Sequence, residues 1–282
     1  MWIILILIII ALIFYLYQYH ELHSLIFTSY TVYHADIQTP LRACVIADVH
    51  GYEPETGYAS VYARLREYHP DMILIPGDLI TSRDRTTIEH ALILMKELVQ
   101  IAPCYLSLGN HELKLLDRSS AGKELMQHLE QLGVCVLDDS RMMVTVKGQT
   151  ISIAGYSAER RYYSRFSSDQ ITYEEFCRSM PEADPEHFQI LLAHTPAGEA
   201  VYRKWGADLI CCGHYHGGVV LVGQIGLITP QLQFASTRCH GCYEADGSYM
   251  VVSGGLGVHS IPLRIFNKPE IVLLDIRGKS QN

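Results

Sequence analysis

Five apolar runs in this 282-residue sequence end in side chains of the kind that bind metals. CVIADVH closes with Asp48 and His50, ILIPGD with Asp78, YLSLGNHE with Asn110 and His111, ILLAH with His194, and ICCGHYH with His214 and His216. Carboxylate, imidazole and amide oxygen together suit zinc, manganese or iron, and no cysteine falls in the set. Asp and Asn also suit turns, and histidine is often merely solvated, so each position alone has an ordinary explanation. The coincidence of all five runs has none. With His111 set aside, the seven remaining residues are too many for one tetrahedral ion. They are about right for two ions roughly 3.5–4 Å apart that share a carboxylate, the arrangement that clamps the attacking and leaving oxygens of a phosphoryl group. The surplus positive charge over Asp48 and Asp78 favours an anionic substrate and lowers the pKa of a bound water toward neutrality. In the last run, strand alternation predicts that His214 and His216 point to one face and Tyr215 to the other, with Gly213, Gly217 and Gly218 letting the chain turn.

The elements that must position these residues follow a βαβ rhythm. From about Leu41, strand-length and helix-length stretches alternate as RACVIA, SVYARLREY, DMILIP, IEHALILMKELVQI, CYLSL and KELMQHLEQL. A hairpin, MMVTVKGQTISIAG, is predicted to turn near Lys147 to Gln149, and a polar arginine-bearing segment runs from Glu159 to Asp184. Three further apolar runs, FQILLA, ADLICC and YMVVSG, precede EIVLLDI, which ends the domain before a polar tail. In open α/β folds ligands gather outside the carboxyl ends of the strands, where all five motifs fall. With no internal repeat, low-complexity tract or Pro/Gly-rich linker, one layered α/β domain over 41–277 and a tail of 278–282 are expected.

The N-terminal stretch MWIILILIIIALIFYLY carries no charge and is flanked by Trp2, Tyr15, Tyr17 and Tyr19, residues that favour a membrane interface. It predicts a single-pass membrane helix about 25 Å long, extended by Leu22, Leu25, Ile26 and Phe27. Residues 1–27 are expected to be the anchor and its flank, and 28–40 a linker. A secretory signal would carry a basic n-region and a small-x-small cleavage site, and neither is present. A localisation at the cell membrane follows. The side is open: the α-amino group favours an inside N-terminus and so an outside domain, whereas eight cysteines, including adjacent Cys211 and Cys212, suit a reducing compartment. Cys239 and Cys242 flank His240 in a lone CxxC with no second pair at zinc spacing. A net charge of −8 argues against a nucleic-acid partner, and no feature implies a protein partner.

Taken in order, DVH, GD, GNHE, an isolated AH and GHYH resemble the calcineurin-like metallophosphoesterases over about Leu41 to Ile276. GHYHGG, the Thr229-Pro230 pair, GGLG at Gly254 to Gly257 and PEIVLL are similar to the bacterial YkuE/YaeI-type branch, which is often membrane-associated. The resemblance implies a four-layer αββα sandwich with metals at the strand ends. It implies Asp48, His50 and His216 on a first metal, Asp78 bridging, Asn110, His194 and His214 on a second, and His111 left for chemistry. One departure is Thr81, which stands where the family often has a second Asp; it bears on the support of the ligands rather than on metal binding itself.

The function implied is metal-dependent hydrolysis of a phosphate ester, phosphodiester or pyrophosphate, on a small or lipid-linked substrate at the membrane. The reading from another class is a non-catalytic, metal-bearing binding module with the same fold and rim, against which the complete ligand set and His111 speak. GYSAE lacks the last glycine of GxSxG, and His111-Glu112 is followed by Leu115 where HExxH needs its second histidine. GGLG precedes no helical pattern and is expected to be a rim loop. ERRYYSRF places Arg160, Arg161 and Arg165 beside two tyrosines, either as contacts for a substrate phosphate or headgroup or as a solvated loop.

Overall fold

The computed structural model describes residues 2–52, 57–164, 169–229, 234–258 and 262–279. The chain begins with α1 (Trp2–His23), β1 (Ile26–His34), β2 (Leu41–Val45), α2 (Tyr58–Tyr68), β3 (Met72–Ile75), α3 (Thr86–Leu98), β4 (Cys104–Ser107), α4 (Asn110–Arg118), α5 (Ser120–Gln131) and β5 (Cys135–Leu137). It continues with β6 (Ser140–Val146), β7 (Gln149–Tyr156), a 3-10 turn (Arg160–Tyr163), α6 (Tyr173–Ser179), β8 (Gln189–Ala193), α7 (Glu199–Trp205), β9 (Leu209–Cys212) and β10 (Val220–Val222). Last come β11 (Ile225–Ile228), β12 (Phe234–Ser236), β13 (Gly241–Ala245), β14 (Ser248–Val252) and β15 (Glu270–Gly278).

Among the described residues the strands form two six-stranded sheets, ordered β1-β15-β2-β3-β4-β5 and β13-β14-β9-β8-β7-β6, and a three-stranded one, β10-β11-β12. β2 to β5 are parallel, as are β14, β9, β8 and β7. Strands such as β3, β8 and β9 are buried along their whole length, which is why they read as unbroken apolar runs. Their alternate side chains serve different layers. Leu74, Leu274, Ile190, Leu192 and Cys211 meet between the two large sheets. Ile73 and Ile75 turn to the opposite face, against Leu65 of α2, Leu94 of α3 and Leu125 of α5. Leu191, Ile210 and Met250 back onto Phe176 of α6 and Tyr202 and Trp205 of α7. The result is the expected four-layer αββα sandwich. Each fully buried aliphatic contributes about 1.5–3 kcal/mol, and truncating one such as Leu74 to alanine would cost about 2–5 kcal/mol. The β6-β7 hairpin turns through Lys147 and Gly148, both at positive φ, the geometry of a two-residue loop.

Two boundaries differ from expectation. Of residues 28–40, 35–40 connect β1 to β2, but 28–34 are strand: β1 covers Ile26–His34 and pairs in parallel with β15 from Ile26↔Glu270 to His34↔Gly278. It is an edge strand in which Tyr30 and Val32 pack on the core between the sheets while Ser29, Thr31 and Tyr33 stay exposed. Ile26 and Phe27 therefore belong to the sheet, and α1 ends at His23. At 22 residues α1 extends about 33 Å, long and apolar enough to cross a ~30 Å hydrocarbon core. All eight cysteines fall among the described residues and are free thiols; His240, between Cys239 and Cys242, pairs with Glu270 at 3.0 Å.

Candidate metal centre

The five strand ends converge. Asp48 and His50 follow β2, Asp78 follows β3, Asn110 and His111 open α4 after β4, His194 follows β8, and His214 and His216 follow β9. All eight residues are buried, none more than 8% exposed. Burying this many polar groups is costly unless each is hydrogen-bonded or holds a charge partner.

The backbone here is bent in a way the sequence does not announce. Asp48, His50, Asp78, His214 and His216 all have positive φ, between 48° and 73°. For non-glycine residues such conformations cost on the order of 1–3 kcal/mol each and cluster where function requires them. This corrects the expectation for the two histidines after β9. That strand ends at Cys212, so its alternation does not aim them. The turns send His214 beside His194, with ring centroids 5.1 Å apart, and stack His216 on His50, also at 5.1 Å. Glycines allow the close packing: a Cβ on Gly213 would lie 2.5 Å from Asp48 Oδ2, and one on Gly109 would collide with Asp78 Oδ1.

Around the two carboxylates the imidazole nitrogens are near enough to share cations. Nε2 of His194 lies 3.0 Å from Asp78 Oδ2 and 3.8 Å from Asp48 Oδ1. Nε2 of His50 lies 3.7 Å from Asp78 and 3.9 Å from Asp48, and Nε2 of His216 lies 3.5 Å from Asp48. Potential ligand atoms fall into three overlapping groups: Asp48-His50-His216, His50-Asp78-His111 and Asp48-Asp78-His194. His214 sits beside them, its backbone N–H donating to Asp48 at 2.9 Å.

Tautomers separate the histidines by role. His50 Nδ1 faces Ile80 O at 3.0 Å, His194 Nδ1 faces Pro76 O at 2.8 Å, and His216 Nδ1 faces Gly257 O at 3.0 Å. A nitrogen facing a carbonyl must be the N–H, so each of these rings, when neutral, turns an Nε2 lone pair toward the carboxylates, the usual orientation of a metal-binding histidine. His111 is reversed. Its Nδ1 accepts from Ser82 N–H at 2.8 Å, so the neutral ring carries its proton on Nε2. Asn110 Oδ1 is buried without a hydrogen-bond partner among the described residues. Three tethered imidazoles, two carboxylates and an orphaned amide oxygen fit divalent cations.

Charge follows the same geometry. Burial pushes Asp48 up to about 7. Burial also opposes the charge of Asp78, but the imidazoles of His194 and His111 outweigh it and hold this carboxyl well below the usual range. Burial works against protonated His194, yet the Asp78 carboxylate raises it to about 9. His216 is driven well below its ordinary value by burial, then by the charges of His50 and Arg264.

Several supporting residues escaped the sequence analysis. Glu112 is fully buried, and its carboxylate accepts N–H groups from Asp78 at 2.8 Å, Gly109 at 2.9 Å and Ile80 at 3.2 Å. Burial and the Asp78 charge push its pKa up to about 7. Both oxygens face N–H donors, however, and the ionised form is the one this geometry accommodates. Thr81 Oγ1 lies 3.3 Å from His50 Nδ1, so the residue in place of the second Asp does reach a candidate ligand. Arg264 is buried and hydrogen-bonds the carbonyls of Gly254, Gly255 and Gly257, the GGLG rim loop. The only signal for Glu112 was its place in GNHE, and Arg264 had none.

The arginines are placed otherwise. Arg160 pairs with Asp117 at 2.9 Å and Arg161 with Glu175 at 2.7 Å, all exposed or part-exposed surface carboxylates. Arg165 lies outside the described residues. The segment instead delivers Tyr163, whose ring lies 4.9 Å from His214 and 5.7 Å from His194. Its hydroxyl is buried without a hydrogen-bond partner among the described residues, and burial followed by the Asp78 charge keeps it protonated.

A family profile described as calcineurin-like phosphoesterase matches residues 41–218, more than half of the chain and all eight converging residues. Among curated proteins, a metallophosphoesterase of Aquifex aeolicus is 28% identical over 74% of this chain and 74% of its own. Phosphodiesterase YaeI of Escherichia coli is 22% identical over 86% of this chain and 84% of its own. Metallophosphoesterase YkuE of Bacillus subtilis is 26% identical over 78% of this chain and 72% of its own.

Proposed function

Because the chain belongs to the calcineurin-like phosphoesterase family, we propose that it hydrolyses a phosphoester at a two-ion centre held at the membrane by α1. The observation that carries this reading is the set of three imidazoles, each tethered through Nδ1, turning Nε2 toward Asp48 and Asp78. In this assignment Asp48, His50 and His216 would hold one ion, Asn110, His194 and His214 the other, and Asp78 would serve both. Bound divalent cations would supply positive charge for the phosphoryl oxygens and lower the pKa of the attacking water. The remaining steps belong to the chain. His111 presents Nε2–H, which hydrogen-bonds the leaving oxygen and stabilises the negative charge that develops there as its bond to phosphorus breaks, the proton then coming from solvent, while Ser82 N–H fixes the ring from behind. Tyr163 offers a buried O–H to a phosphoryl oxygen on the His194–His214 side. Arg160 and Arg161, already paired at the surface, are not needed for the chemistry.

The name of the Escherichia coli relative makes a diester the first substrate to test. An anchor ending beside the site favours small or lipid-linked phosphoesters over soluble macromolecules. Full-length protein in detergent, supplied with manganese or zinc, is expected to hydrolyse bis-p-nitrophenyl phosphate and to lose that activity on chelation. Turnover of none among model monoesters, diesters and pyrophosphates with any of manganese, zinc or iron would move the binding-module reading to first place.

A further inference from the structure

The apolar helix does more than precede the domain. Its two buried residues are polar: Gln18 and Glu21, 7% and 5% exposed on a helix otherwise open to its surroundings. Buried polar groups on such a helix call for a reason, and here it is a loop. Gln18 Nε2 donates to Arg264 O at 2.9 Å while Arg264 N–H donates back to Gln18 Oε1 at 3.1 Å. Asn267 N–H donates to Glu21 Oε1 at 2.7 Å, and Phe266 N–H to the Tyr17 hydroxyl at 3.0 Å.

The gripped residues lead directly to the candidate ligands. The Arg264 guanidinium donates to Gly257 O at 2.7 Å, and that carbonyl is also the one that receives His216 Nδ1–H. Gly257 N–H donates to Asp48 O at 2.7 Å, and Leu256 N–H to Ala47 O at 3.1 Å, so the loop lies along the segment bearing Asp48. Asn267 Nδ2 donates to His216 O at 2.7 Å. His216 is therefore held at its backbone by Asn267, which the helix holds, and at its ring by the Gly257 carbonyl, which Arg264 holds in turn.

We propose that Gln18 and Glu21 act as positioning residues for the Asp48–His50–His216 half of the centre, making the membrane helix part of the support of one metal ion. The Asn110–His194–His214 half is joined to α1 less directly, His214 N–H reaching the loop only by way of Asp48 at 2.9 Å. Residues that orient metal ligands typically change affinity about 10–100-fold when removed. This inference rests on the two-ion reading above, and its test separates the two.

Full-length wild type, Gln18→Ala/Glu21→Ala and Glu21→Gln are purified in the same detergent, stripped and titrated with manganese, with ions per chain read by elemental analysis. Alanine is a strong helix former, so the double variant keeps α1 itself. It is expected to bind one ion about 10–100-fold more weakly and the other as in wild type, with faster amide exchange at Leu256 and Gly257. Glu21→Gln retains the accepting oxygen and is expected to match wild type, unlike the double variant. Titration and exchange unchanged in the double variant would overturn the proposal, as would equal weakening of both ions together with a fall in melting temperature. Wild type that binds no metal would sink the two-ion reading, and the exchange measurement would still decide whether the helix holds the loop.

Discussion

Replacing Glu112 should loosen the turn that carries Asp78 without removing any candidate ligand. Its Oε2 accepts from both Asp78 N–H and Gly109 N–H, and its Oε1 accepts from Ile80 N–H. These bonds hold the turn in which Asp78 sits at a φ of 56°. In Glu112→Gln the amide oxygen can take over the two donors on Oε2, but the NH2 group then faces Ile80 N–H. One buried donor is left unsatisfied, a loss of about 1–3 kcal/mol. Glu112→Ala strips all three; by the same figure that is about 3–9 kcal/mol, held toward the lower end if water enters the space. Total stabilities run at about 5–15 kcal/mol, so the alanine variant sits near the edge of folding. The assay is thermal and urea unfolding of metal-stripped protein, so that cation binding does not add to the folded state. The glutamine variant is expected to melt roughly 2–12 °C below wild type. It should also bind metal about 10–100-fold more weakly, because the Asp78 carboxylate is less firmly placed. A glutamine variant as stable as wild type, or an alanine variant no worse than glutamine, would refute the reasoning.

His111→Ala is expected to keep its metal content and melting temperature while turnover falls by about 10²–10⁴; metal lost in proportion to activity would make His111 a ligand instead. The stripped protein should lose stability as pH rises from about 6.5 to about 9. His194 is raised from 6.5 to about 9, so the stability its proton brings is complete below 6.5 and gone once the folded form titrates. Metal must displace that proton, so metal affinity should rise over the same interval; thermal melts and metal titrations at several pH values check both signs. A chain starting at Ser24 is expected to fold, because it keeps β1 along β15, whereas one starting at Leu41 should be less stable and prone to aggregate with the β15 edge bare; circular dichroism and size-exclusion chromatography distinguish them.

Legibility in the sequence followed the physics of each feature. Strands buried on both faces, such as Met72–Ile75 and Gln189–Ala193, announce themselves as apolar runs, and the metal-binding residue types stand directly after them. β1 carries strand-forming residues in IFTSYTVYH, but it continues the apolar run of α1 with no Gly or Pro between them to mark the change. The aim of His214 and His216 could not be read, since it comes from left-handed turns past the strand rather than from strand alternation. Tyr163 lay inside a segment whose arginines drew attention, although charge stays at the surface and the aromatic ring is what goes inward. Arg264 sits in RIFNKP, where nothing local marks a guanidinium as buried; its partners are carbonyls as many as ten residues away and a glutamine 246 residues away.

A two-ion centre requires Asp78 to serve both cations. Asp78→Asn preserves shape while removing a negative charge from between them, so their repulsion is less screened and both should bind more weakly. Elemental analysis of wild type and this variant, equilibrated with limiting manganese or zinc, tests that directly. Two ions per wild-type chain, with both affinities reduced in Asp78→Asn, is the result predicted. No metal in wild type under any condition, or two ions held undiminished by the variant, would contradict it.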